Sequence, residues 1–272
     1  MLKSLFLWIL AILITLGSAV YQRKTGPTYP IEGEIQFQGS TIMYSLERSH
    51  GGEGDQLVSV ATKDTAVTGK LLFKRYPTDD PWTEIDMTRK GEQLQAFLPH
   101  QPPAGKLEYH LVLYKNDGKV MIPSRKNVVI RFKGDVPPFI LLPHILLMFL
   151  AMLFSTRTGL EALRREPKLK SLVFWTVGLL FVGGMILGPW VQWHAFGAFW
   201  TGIPYGTDLT DNKTLIAMIV WIIALGFTLG KRNARVVVLI ASVVLLLIFI
   251  IPHSMHGSEL DYSQIETGHS NI

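Results

Sequence analysis

The stretch GPWVQWHAFGAFWTGIPYGTDLTDNKT, Gly188–Thr214, decides how this chain is read. It is crowded with aromatics and glycines, holds one histidine and two aspartates, and has no basic residue before Lys213. Strongly apolar runs flank it at 172–187 and 215–229. A loop of this kind joins two membrane helices, and its tryptophans and tyrosine suit the bilayer interface. Trp193, Phe196 and Trp200 fall at helical spacing, so part of it can also lie as a short surface or re-entrant helix.

Further apolar runs occur at 138–154 and 236–251. Each of the four is near the shortest length that crosses about 30 Å of hydrocarbon. A fifth apolar run, 1–20, opens the chain; it reads as an uncleaved anchor over 1–22 or as a signal peptide with Gly17–Ala19 as the cleavage site. Five spans are therefore expected. The segment 155–171 carries Arg157, Arg164, Arg165, Lys168 and Lys170, and 230–235 carries Lys231, Arg232 and Arg235. The stretch 188–212 and the tail 252–272 carry neither Lys nor Arg. Basic loops stay in the cytoplasm, so the N-terminus is expected inside and the tail outside.

Between 31 and 133 the pattern changes to short alternating runs such as QLVSVAT and KLEYHLVLY, punctuated by Gly, Pro, Asn and Asp. KNDGK at Lys115–Lys119 reads as a hairpin turn and GGEGD at Gly51–Asp55 as a hairpin tip. Seven or eight strands in about 100 residues predict an all-β sandwich of immunoglobulin or fibronectin-III type. The expected organisation is an anchor at 1–22, a β-sandwich at 28–135, a four-helix membrane domain at 137–252 and a tail at 253–272.

With 272 residues, 48% hydrophobic composition and a net charge of +5, the chain is membrane-like with a soluble part. Its basic residues flank apolar segments and form no stripe with aromatics, so nucleic acid is not an expected partner; the bilayer and other membrane subunits are. The absence of cysteine rules out disulfides, thiolate metal sites and covalent haem attachment through thioethers. No nucleophile elbow, phosphate loop or dinucleotide fingerprint occurs.

The candidates for chemistry gather at one membrane boundary. His144 lies inside the second span, His194 in the opening stretch, and His253 and His256 where the last span ends. Two histidines from different helices can hold haem b; three with a carboxylate or Met255 can hold copper or zinc. Interfacial histidines that only hydrogen-bond, or a proton or quinol relay, are the competing readings. Asp208 and Glu259 are the candidate carboxylate ligands, with Ca²⁺ a further possibility at Asp208 and Asp211. Asp211 also suits the N-cap of the fourth span. Gly184 and Gly188, in GMILG, form a small-xxx-small pattern for helix packing.

The segments AFGAFWTGIPYGTDLTDNKTL, LFSTRTGLEAL and HGSELDY resemble a family of bacterial envelope membrane proteins that pair an extracytoplasmic immunoglobulin-like domain with a multi-span half. The resemblance implies a bacterial inner-membrane location and assigns no catalytic residue. The expected function is an accessory or structural subunit of an envelope complex, with a respiratory or redox complex among the candidates. A haem- or metal-binding membrane protein is the alternative.

Overall fold

The computed structural model describes residues 2–230, 233–252 and 259–263, with side chains from residue 4 onward. Among these, five helices form. They are α1 (Leu2–Thr25), α2 (Pro138–Ala162), α3 (Lys170–Phe196), α4 (Leu209–Leu229) and α5 (Arg235–Ile250). Eleven strands form in the middle of the chain: β1 (Ile31–Phe37), β2 (Ser40–Leu46), β3 (Ser49–Gly51), β4 (Gln56–Ala61), β5 (Thr68–Arg75), β6 (Thr83–Asp86), β7 (Thr88–Lys90), β8 (Gln93–Leu98), β9 (Lys106–Lys115), β10 (Gly118–Ile122) and β11 (Val128–Lys133). Two compact units result. The helical unit is Met1–Pro27 with Val136–Gly257, and the β unit is Thr28–Asp135 with Ser258–Ile272.

This corrects the expected fold class. A five-span helical bundle plus an all-β immunoglobulin- or fibronectin-III-like sandwich is not what forms. The chain is a mixed α/β fold, with helices before and after the strands. One sheet is mixed, because β3 and β11 pair in parallel. Four helices, α1 to α4, are long and apolar enough to cross a membrane. The fifth, α5, has 16 residues. At 1.5 Å per residue it reaches about 24 Å, short of a full hydrocarbon thickness.

In the β unit, one sheet runs β1-β2-β4-β8-β7 and the other β3-β11-β9-β5-β6, with β10 added on β9. The period-two runs do what their alternation demands. On β9, Leu107, Tyr109, Leu111 and Leu113 all point inward and are fully buried. They meet Ile42, Leu46, Val58, Val60 and Leu98 of the other sheet in one core. The buried Tyr109 hydroxyl donates to the Glu47 carbonyl, which fixes the strand that precedes β3. The KNDGK hairpin forms, with Asn116 in the left-handed region at φ 49°. Asparagine tolerates that conformation because its short side chain hydrogen-bonds locally. GGEGD is not a hairpin tip. It carries the chain from β3 in one sheet to β4 in the other. His50 and His100 both hydrogen-bond the Gly54 carbonyl and hold this crossing in place.

Of the tail, residues 259–263 are described, and they pack with the β unit. The Tyr262 ring is buried there, under the Arg75 guanidinium at 5.1 Å. Its hydroxyl accepts from the Lys106 amide at 2.9 Å, and burial pushes it up from the ordinary phenol range.

In the helical unit, α2 does not stop at Phe154, where the apolar run ends. It continues to Ala162 through Ser155, Thr156, Arg157, Thr158 and Glu161, all buried. Small residues permit this. A Cβ at Gly159 would stand 2.3 Å from the Ser242 hydroxyl of α5, so the two helices touch there. The Ser242 hydroxyl donates to the Ser155 carbonyl at 2.7 Å. Helix α3 runs straight through the boundary expected at Leu187. Its middle, Phe181–Leu187, is a π-helical segment in which the Gly188 amide reaches the Gly183 carbonyl. Gly197, at φ 79°, ends α3 in the left-handed conformation that glycine adopts without strain. Residues 198–208 therefore form a loop and not a helix.

Candidate functional site

The loop between α3 and α4 is held by the first turn of α4. Asp208 is the N-cap: its Oδ1 accepts from the amides of Thr210 and Asp211 at 2.7 and 3.3 Å. This corrects the expectation that Asp211 caps the helix. Asp211 sits three residues inside it and turns back to the loop. Its Oδ2 accepts from the Thr201 amide at 2.6 Å, the Gly202 amide at 3.0 Å and the Gln192 side chain at 3.1 Å. Asn212 does the same for the Ile203 amide at 2.7 Å. Only 6% of Asp211 is exposed, so its charge is neutralised by backbone dipoles and not by water. Gly202 is required here because a Cβ would meet Asp211 Cβ at 2.6 Å.

Lys213 is equally buried and was not anticipated. Its ammonium donates to the carbonyls of Ile251 and Pro252 at 3.0 and 3.2 Å. These are the unsatisfied carbonyls at the end of α5, where a cation is favoured. The start of α4 thus binds an incoming loop with an anion and the end of α5 with a cation, two residues apart. The DNK triplet was visible in the sequence. Its burial was not, because nothing local says that a lysine next to an aspartate faces inward.

The histidines do not form the expected set. His144 Nδ1 donates to the Gly183 carbonyl at 2.9 Å, across from α2 to the π-segment of α3. Within the π-segment this carbonyl also accepts from the Gly188 amide, so His144 shares it. His194 packs edge-on against Trp193, which stacks on Phe199 at 5.5 Å. His253 and His256 lie outside the described residues. Among the described residues no three His, Asp or Glu side chains converge as metal ligands. The carboxylates are engaged elsewhere: Asp208 caps α4, and Glu259 pairs with Lys106 in the β unit. Of the two glycines expected at a helix contact, Gly184 is in one. A Cβ there would stand 2.8 Å from Thr214 Cγ2 of α4. Gly188 has ordinary room, with His144 at 3.7 Å, and the second tight position is Gly183.

At the opposite end of the helical unit stands a charged network that the sequence reading placed in a loop. Arg157 and Glu161 of α2 are 3% and 2% exposed. They approach to 2.8 Å, angled away from hydrogen-bond geometry. The Arg157 guanidinium also lies over the Trp8 ring of α1 at 5.4 Å. Glu161 Oε1 accepts from Arg164 at 2.8 Å and from the Lys168 amide at 3.2 Å. Arg235, at the start of α5, donates to the carbonyls of Ala162 and Leu163 and so closes the end of α2. The signal for this network was the i, i+4 spacing of Arg157 and Glu161.

The β unit has its own charged cluster. Asp64 pairs with Lys115 at 2.7 Å, which also donates to the Gln38 carbonyl and the Ser40 hydroxyl. Lys115 first, and Ser40 second, hold the Asp64 carboxyl well below its usual range. No family model and no curated protein matches this chain.

Proposed function

We propose that this chain is a multi-pass protein of the bacterial inner membrane that serves as an accessory or structural subunit of an envelope complex, with its β unit outside the cytoplasm. One observation carries the reading. The polar side chains at the α3–α4 end of the helical unit, Asp208, Asp211, Asn212, Lys213 and His144, are each spent on the chain's own backbone. Groups so engaged build a fixed surface. A catalytic base or nucleophile needs its reacting atom available to substrate. The charge distribution supports the orientation, since of the segments that join one helix to the next, 163–169 and 230–234 carry Lys and Arg and 197–208 carries neither.

A second reading has one specific observation in its favour. The hydrogen bond from His144 Nδ1 to a backbone carbonyl leaves Nε2 as the ring's lone-pair nitrogen. That is the arrangement by which proteins orient a histidine toward a metal or haem.

Purification in mild detergent, with native mass, absorption spectrum and metal content taken from one sample, tests both. The subunit reading expects a stoichiometric second polypeptide and no Soret band. The chain running alone would overturn it. A Soret band or stoichiometric copper or zinc that is lost in His144→Ala would establish the second reading.

A further inference from the structure

The end of the helical unit opposite the α3–α4 loop holds an open cavity of about 610 Å³ between the α2–α3 connection, the start of α3, the end of α4 and the start of α5. Arg165, Lys168, Lys170 and Arg235 line it, together with the hydroxyl-bearing Ser171 and Thr228. Among the described residues no carboxylate lines it. The nearest buried acid, Glu161, is already engaged by Arg157, Arg164 and the Lys168 amide. The lining therefore carries four basic side chains and, among the described residues, no acidic one; Glu166 is next in sequence but is not part of it, and Arg235 is bonded to the end of α2.

Two backbone features add to it. Helices α3 and α5 both begin at this cavity, and their N-cap residues are Leu169 and Ala234. Neither has a side chain that can accept from the first-turn amides, although the Arg235 amide of α5 already donates to the Asn233 side chain. Those amides and the helix dipoles favour an anion. The Thr228 hydroxyl is spent on the Ala224 carbonyl, so the side-chain donors are Arg165, Lys168, Lys170 and Ser171, which can surround a tetrahedral oxyanion from several directions.

We propose that this cavity binds a phosphate-bearing anion, either the headgroup of an anionic lipid or a free phosphate compound. The lipid source rests on the membrane reading above, and the free source does not.

The test uses the full chain in nonionic detergent, titrated with short-chain phosphatidylglycerol, short-chain phosphatidylcholine and inorganic phosphate. The same titrations are run on R165Q/K168Q/K170Q, which leaves Arg235 and its bonds to α2 intact. K63Q/R125Q/K126Q in the β unit removes the same charge away from the cavity. A lipid headgroup site gives saturable phosphatidylglycerol binding that phosphatidylcholine does not reproduce. It weakens roughly a hundredfold in the cavity variant, about fivefold per charge removed, and is unchanged in the β-unit variant. A free-phosphate site gives the same pattern with inorganic phosphate, which then competes with the lipid. If the triple variant fails to fold, K168Q and K170Q are measured singly. Equal binding by wild type and cavity variant, or no saturable binding of any probe, overturns the proposal.

Discussion

Asp208 and Asp211 show how far three residues of spacing can mislead. Both are aspartates just before an apolar run, and either fits the N-cap on sequence alone. The loop decides between them. Asp211 is the one whose oxygen meets the amides of Thr201 and Gly202, and that contact needs the chain to return across nine or ten residues. No local pattern encodes it. The two roles carry different weights. Asp208→Ala removes a helix cap and is expected to cost about 1 kcal/mol. Asp211→Ala strands buried amides and is expected to cost about 2–3 kcal/mol. Thermal unfolding in detergent ranks them; the reverse order would return the cap to Asp211. His144 teaches the same lesson. Its position inside an apolar run marked it for attention, but its partner is a carbonyl within a π-segment that the sequence does not announce.

Among the elements, the strands were the more legible. Alternation placed the inward residues of β9, because side chains of a strand must take opposite faces. Pairing was not legible, since the parallel β3–β11 contact joins segments about 80 residues apart in sequence. The helix ends were harder still. Apolar runs located α2 and α3, but both extend past those runs. The end of α2 is polar and yet buried, because Gly159 and the serines and threonines around it allow α5 to approach. Gly159→Ala tests this. A methyl group there meets the Ser242 side chain, so a loss of about 1–3 kcal/mol is expected. Ser242→Gly should recover part of that loss in the double variant. Simple additivity of the two single changes would mean that the helices are not in contact at this point.

At the scale of the whole molecule, the chain passes from an apolar helical unit to a β unit at residues 27–28, returns at 135–136, and belongs to the β unit again at Glu259. The five-residue stretch Glu259–Ser263, with its buried Tyr262, folds with the β unit although it follows the last helix. The β unit and this stretch share one side of any membrane the helices cross, which requires the 16-residue α5 to cross together with α2, α3 and α4. In the proposed orientation that side lies outside the cytoplasm, and the cavity of Arg165, Lys168 and Lys170 lies inside it. The chain has no cysteine, so single cysteines can be introduced without background. Arg125→Cys in the β unit and Arg165→Cys between α2 and α3 are both at exposed positions. Labelling of intact spheroplasts with a membrane-impermeant maleimide is the most direct measurement. The account predicts that the cysteine at 125 reacts at once and the one at 165 only after permeabilisation. Immediate reaction at 165, or protection at 125, would contradict it.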